Sequence, residues 1–248
     1  MFGSVKPRSL PQPGHRYDAA VVGAGLAGSE LAWRLANGGM DVLLVSQALD
    51  NVGNLYHANA PEAFPAGTLF EQARTQALPD RTNWALHRQV KAILESTPGV
   101  HLLQSCVAAL EANAEGPHRL RTWEGPPLIA DRVILAVGSF LQGRLLIGSV
   151  EEEAGRLSEV AYDFLHDDLA RQGIRFEDRE DEAPGEEGSL PYRVRYRVVA
   201  ADELSGFRVK RWPRVYAAGR CAPGTLDYDE TLRQAARLAA ELAREVTA

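Results

Sequence analysis

The sequence predicts an α/β fold, a parallel sheet flanked by helices, with a β-meander and a small inserted cap region. Three observations predict it. An apolar run, DAAVV at Asp18–Val22, leads into glycines, a helical spacing and a second apolar run, DVLLVS. Farther on, CVAALEA, HRLRTW and DRVILAVG read as successive strands separated by polar breaks at Asn113 to Pro117 and Gly125 to Pro127. Near the end, RVYAAG resumes the buried-strand pattern directly before an amphipathic helix.

Taken in order, residues 1–16 hold three prolines and no hydrophobic period, which predicts an N-terminal arm, so the fold should begin near Tyr17. After DAAVV, Leu31, Ala32 and Leu35 stand at helical spacing until Gly38 and Gly39 stop the pattern. Strand, glycine turn, helix and strand make a βαβ unit, whose strands are parallel and whose crossover is right-handed. Leu49 to Asp80 reads as irregular, Arg81 to Ser96 as a helix ended by Pro98-Gly99, and VHLLQS as a third strand. Residues 151–209 change character: a helix is expected around Ala161 to Gln172, the acidic FEDREDEAPGEEG reads as a solvated loop, and YRVRYRVV alternates as a strand with one wet face. The closing DETLRQAARLAAELAREV is a helix with Leu232, Ala236, Ala239, Leu242 and Val246 inward. The expected division is an arm at 1–16, a dinucleotide-binding domain at 17–150 plus 210–248, and a cap or substrate region at 151–209.

Composition bounds the function. In 248 residues, 45% apolar content suffices for a full core, and a net charge of −6 does not favour a polyanion. Two cysteines, Cys106 and Cys221, make neither a disulfide framework nor a metal spacing, so no metal is expected and a reducing cytoplasmic setting is the simpler one. No apolar run reaches the roughly 18 residues of a membrane span, so no membrane partner is expected.

Gly23, Gly25 and Gly28 form GxGxxG directly after a strand and directly before a helix. Gly23 permits the tight turn, Gly25 lets the backbone approach a pyrophosphate, and Gly28 lets the helix sit close on the strand. The helix then offers free N–H groups and its positive dipole end to the phosphates. The end of the second strand, where an acidic residue ordinarily binds ribose hydroxyls, holds Ser46 and Gln47 instead. The choice between NAD and FAD turns on the rest of the chain. FAD lies extended and needs a second contact near its ring, which Gly138 in RVILAVGSF and Gly219, Arg220 and Gly224 in RVYAAGRCAPGTLDYDE supply. The reading is a Rossmann-type FAD-binding fold of the glutathione-reductase-like kind.

At YDAAVVGAGLAGSELA, LLVSQALDNVG, VILAVGSFLQGRLLIG with GRLSE, and YAAGRCAPGTLDYDETLRQA, the chain resembles the glucose-inhibited division protein A (GidA) family, flavoproteins that modify the wobble uridine of transfer RNA. The resemblance implies noncovalent FAD with Gly23, Gly25, Leu26, Ala27 and Gly28 at the pyrophosphate, Ser46 and Gln47 near the adenosine ribose, and Val107 near the adenine. It places Gly53, Ala136 and Gly138 along the dinucleotide, and Gly219 with Arg220 at the ribityl-phosphate side. Gly224 to Tyr228, with Thr225 and Leu226, brings the last helix's N-terminus to the flavin's N1–C2 edge, and Arg156 of GRLSE faces the cofactor or a substrate phosphate. The family's cysteine after LDNVG is absent, with His57 nearby instead, and the family's RNA-binding region has no counterpart, so tRNA modification by this chain alone is not expected.

Two residues are candidates for chemistry. His57 has the titration range of a proton donor, and Cys221 follows Gly219-Arg220 closely enough to expect a thiol at the ring; a plain loop histidine and a small buried packing residue are the alternatives. Arg193, Arg195, Arg197, Arg208, Lys210, Arg211 and Arg214 with Tyr192, Tyr196 and Trp212 either meet RNA or pair with the acidic run. With no second GxGxxG, NADH or NADPH would act only as a transient reductant. The leading function is an FAD-dependent oxidoreductase. The alternatives are a noncatalytic flavin-binding module beside a tRNA-modifying partner, and an NAD-binding dehydrogenase.

Overall fold

The computed structural model describes residues 11, 14–125, 127–157, 159–183, 190–224 and 227–247. Its elements are β1 (Arg16–Val22), α1 (Leu26–Asn37), β2 (Val42–Ser46), α2 (Leu69–Ala77), α3 (Asn83–Ser96), β3 (Val100–Gln104), β4 (Val107–Glu111), β5 (His118–Thr122), β6 (Leu128–Leu135) and β7 (Arg144–Ile147). They continue with β8 (Val150–Glu152), β9 (Ala154–Arg156), β10 (Glu159–Val160), α4 (Asp163–Arg171), β11 (Phe176–Ala183), β12 (Tyr192–Val199), β13 (Leu204–Ser205), β14 (Arg208–Val209), β15 (Val215–Ala217) and α5 (Tyr228–Thr247).

The main sheet runs β13-β14-β15-β6-β1-β2-β3. From β15 to β3 every pairing is parallel, with Val21 opposite Leu44 on one side and Ile134 on the other. The reason for the unbroken apolar runs is visible in the two cores. Ala19, Val21, Val42, Leu44, Ile134 and Tyr216 pack on one face, with α1, α2, α3 and α5. Their alternate neighbours Ala20, Val22, Leu43, Val45, Val133, Leu135 and Ala217 pack on the other, with the β4–β5 meander and α4. Because successive side chains point to opposite faces, a strand covered on both sides must be apolar throughout.

The meander returns to the sheet as expected: β4 pairs antiparallel with β5 and β5 with β6. Helix α5 buries Leu232, Ala235, Leu238, Ala239 and Leu242 against α1. Ala236, expected inward, is only half-buried, because the stripe follows 235 and 238 rather than 236; the side chain of Val246 lies outside the described residues. Each fully buried leucine contributes about 1.5–3 kcal/mol.

Two expectations are corrected. The span Leu49–Asp80 is not wholly irregular, since it contains α2, capped by Thr68, whose Oγ1 accepts from Glu71 N (3.1 Å) while Glu71 Oε2 accepts from Gly67 N (2.6 Å). The acidic FEDREDEA is not a loop but β11, antiparallel to β12 in the second sheet, ordered β11-β12-β7-β8. The outward row explains it: Asp178 faces Arg197, Glu180 faces Arg195 and Glu182 faces Arg193, while Val194, Tyr196 and Val198 are buried on the other face. Opposite charges directly across a ladder favour the pairing that like charges along one strand would not suggest.

Candidate functional site

Strand β1 lies between β2 and β6, and the crevice at the carboxyl ends of such strands is where a doubly wound sheet binds ligands. A cleft opens there. Its floor is the turn Gly23-Ala24-Gly25 and the start of α1 at Leu26 and Ala27; its walls include Ser46, Gln47, Ala136, Gly138, Arg156, Gly219 and Arg220.

The three fingerprint glycines do three different things. Gly23 has φ +101°, and a Cβ there would stand 2.5 Å from the Ala136 carbonyl oxygen. Gly28 does not line the cleft; a Cβ would fall 1.8 Å from the Gly23 carbonyl oxygen, so its role is to seat α1 on the turn. Gly25 alone faces open space, with nothing within 4 Å of its Cβ position. It is the N-cap of α1, makes no side-chain cap bond, and the first helical turn carries no acid. Backbone donors at a helix start need acceptors, and the residues that carry the first of them, Gly25, Leu26 and Ala27, line the cleft.

At the β2 end of the cleft, Ser46 Oγ donates to the Ala48 carbonyl (2.9 Å) and keeps its lone pairs. Gln47 Nε2 lies 3.9 Å from Cys106 Sγ, and the Gln47 amide also meets the buried Tyr162 hydroxyl. At the far end, Arg220 lies over the Tyr56 ring at 4.3 Å and its Nη1 donates to Asp181 Oδ2 (2.9 Å), which also accepts from Tyr196 Oη (2.6 Å). Tyr56 hydrogen-bonds Ser139, whose Oγ donates to the Gly155 carbonyl (2.8 Å). The second sheet thus supplies Asp181 and Tyr196 as the roof over Arg220.

Other expected residues fall behind the surface. Gly53, at φ +71°, donates its N–H to the Ala24 carbonyl (2.7 Å) and packs on Val90, tying the loop after β2 to the glycine turn. Val107 is fully buried in the meander core. Thr225 and Leu226 lie outside the described residues. His57 does not line the cleft; its Nδ1 meets Tyr228 Oη at 2.7 Å, and Tyr228 does line it. Cys221 has no exposed surface, and its Sγ lies 3.1 Å from the Leu135 carbonyl and 3.2 Å from that of Ala218. Burial pushes its thiol up to about 11, and burial with the nearby Glu124 charge pushes Cys106 up to about 12. Both are packing residues rather than thiols at the cleft.

The arginine row is spent internally. Arg193 pairs with Glu180 (2.9 Å), Arg195 with Glu151 (2.8 Å) and Arg197 with Asp178 (2.7 Å). Lys210 donates to the Asp202 carbonyl, Arg211 to that of Gly173 and Arg214 to that of Asp131. Arg193 and Arg197 thus pair with the acidic run, one of the two outcomes expected for this region. Sequence reasoning missed Asn51, Asn54, Tyr56 and Glu159, all on the cleft wall. Asn51 and Asn54 sit inside or beside LDNVG and Glu159 ends GRLSE, so their motifs were the available signal; Tyr56 had none.

Among the described residues, no group of three or more His, Cys, Asp or Glu side chains could hold a metal, and no helix is long and apolar enough to cross a membrane. Of solved structures, the GidA-related protein from Thermus thermophilus is similar at 41% identity and TM-score 0.85 over 92% of this chain and 99% of that one. GidA from Aquifex aeolicus superposes with TM-score 0.78 at 15% identity, over 92% of this chain and 63% of that one. A putative thioredoxin reductase, TrxB from Bacillus anthracis, shares the fold at TM-score 0.55 and 15% identity, over 93% of this chain and 98% of that one. The architecture is the Rossmann-type FAD-domain fold. Among curated relatives, the tRNA uridine 5-carboxymethylaminomethyl modification enzyme MnmG of Chlamydia trachomatis is 29% identical over 188 residues. That match takes in 64% of this chain and 30% of the relative, so the chain spans under a third of the relative's length. The family model of glucose inhibited division protein A matches residues 18–78 and 73–183, and the chain belongs to that family.

Proposed function

We propose that the protein binds FAD noncovalently in the cleft and serves as a flavin-dependent oxidoreductase. The observation that carries this is the N-terminus of α1, capped by Gly25 without a side chain, opening onto a cleft that continues to Tyr228 at the N-terminus of α5. The residues fit the group: a Cβ-free patch at Gly25 for close approach, helix donors for a pyrophosphate, and neutral hydroxyl and amide groups at Ser46 and Gln47 for a ribose.

When bound, FAD supplies the electron or hydride transfer. The chain supplies the rest. Leu26 and Ala27, lining the cleft at the start of α1, would offer backbone N–H groups to phosphate oxygens, while Gly219, whose Cβ would stand 2.8 Å from Ala27 Cβ, lets its loop close on α1. Arg220, fixed by Asp181 and Tyr56, holds a positive charge at the far end of the cleft. Tyr228 holds a proton there, backed by His57. The α5 N-terminus favours negative charge beside it. NADH or NADPH is the proposed reductant. We place RNA contact on a partner rather than on the arginines of β12, which are already paired.

Purified protein should be yellow, with absorption maxima at about 450 and 370 nm; a colourless protein that binds only NAD would sink the proposal. Anaerobic mixing with NADH or NADPH should bleach the bound flavin faster than free flavin. Bleaching no faster than free flavin would make the chain a noncatalytic flavin module instead.

A further inference from the structure

The end of β2 lacks the carboxylate that ordinarily accepts from adenosine ribose hydroxyls, holding Ser46 and Gln47 in its place. A carboxylate reaches the same cleft from another element. Glu159 of β10 lines it together with Ser46, Gln47 and Asn51. Its position is fixed from two sides. Arg156 directs both Nε and Nη2 at Oε1, and the side chain of Asn51, which follows β2 in the chain, hydrogen-bonds the carboxyl. Asn51 Oδ1 already accepts from Asn54 Nδ2 at 3.0 Å, so Asn51 is held as well.

Both guanidinium contacts fall on one oxygen, and a carboxylate offers about four lone-pair sites, so beside Arg156 and Asn51 it keeps acceptor capacity for donors from the cleft. An ionised carboxylate accepts only, and a ribose diol is a two-donor group, so the match is one of chemistry. Burial raises the Glu159 carboxyl above its ordinary range, and the Arg156 guanidinium opposes that rise. With side chains 13% and 12% exposed, neither member of this pair is a solvated surface ion.

We propose that Glu159 is the acceptor for the adenosine ribose hydroxyls, replacing from the inserted region the acid missing at the end of β2. The proposal rests on the FAD reading. It makes a 2′-phosphate unwelcome through like charge.

The test uses flavin-free protein and measures displacement of FAD by ADP and by 2′-deoxy-ADP. Wild type should bind ADP at least about tenfold more tightly than 2′-deoxy-ADP, the scale of a hydrogen bond to a charged group. Glu159→Gln should bring the ratio within about threefold. A wild-type ratio near one, or a ratio kept in Glu159→Gln, overturns the proposal. Should Glu159→Gln fail to fold, Glu159→Asp keeps the charge beside Arg156 but withdraws it by one methylene, and is read by the same ratio. Wild type that binds neither FAD nor ADP refutes the FAD reading; wild type that binds FAD but ignores the 2′-hydroxyl refutes this assignment alone.

Discussion

The Tyr228 hydroxyl lies 2.7 Å from His57 Nδ1 and accepts from the Tyr56 backbone N–H at 3.0 Å, so the first residue of α5 is tied to the loop that follows β2. This tie joins two chain segments 171 residues apart at the mouth of the cleft. If His57 donates, Tyr228 keeps its own O–H for the cleft. Tyr228→Phe removes the tie at nearly constant volume and leaves Tyr56 N–H unpaired. We expect a loss of about 1–2 kcal/mol of stability and a several-fold weaker FAD affinity. Thermal melts and fluorescence titration check both; unchanged values would show the tie to be incidental.

The fingerprint glycines separate folding from binding. Gly28→Ala must displace backbone, because its Cβ would stand 1.8 Å from the Gly23 carbonyl oxygen. It should lower Tm by several degrees at least or abolish soluble expression. Gly25→Ala meets nothing within 4 Å, so its melt should match wild type while its FAD affinity falls at least tenfold. Equal destabilisation by both would contradict this division.

Glu30 carries a pH dependence. It is fully buried in α1, accepts from Arg34 Nε (2.7 Å) and from Leu69 N at the start of α2 (2.9 Å), and burial raises its carboxyl to about 7. A folded pKa above the unfolded value means stability present at low pH and lost as pH rises through about 7. The loss is of order 3 kcal/mol. Glu30→Gln removes that titration, so the variant should gain on wild type between pH 5 and pH 8 in denaturant melts. A difference that stays flat with pH would contradict it.

The thiol of Cys221 is raised to about 11 and has no exposed surface. Native protein should leave it unmodified by iodoacetamide at pH 8, with labelling appearing only in denaturant, and Cys221→Ala should leave the flavin spectrum in place. Rapid labelling in the native state would restore a chemical role for it.

What the sequence revealed follows from how locally each feature is encoded. The βαβ unit and its glycine turn were legible because turn, helix start and strand periodicity are all near neighbours in the chain. The apolar runs of β1 and β2 likewise announced strands covered on both faces. The acidic β11 was misread because its support is cross-strand: Glu180 makes sense as a strand residue only opposite Arg195. Similarly, Cys221 stands beside Gly219 in sequence, yet its side chain turns under the strand toward Leu135 while Arg220 turns to the cleft. Tyr56 and Asp181 reach Arg220 only through the tertiary fold, and no local pattern marks them. Glu159 had a motif but no visible reason, because its partner Asn51 is more than a hundred residues away.

A dinucleotide held at the α1 N-terminus is tested by equilibrium titration of flavin-free protein with FAD. Saturation at one FAD per chain, displacement by ADP, and affinity at least about tenfold weaker in Gly25→Ala without loss of fold are expected. Absence of saturable FAD binding by a folded protein, or binding that Gly25→Ala leaves intact, would contradict it.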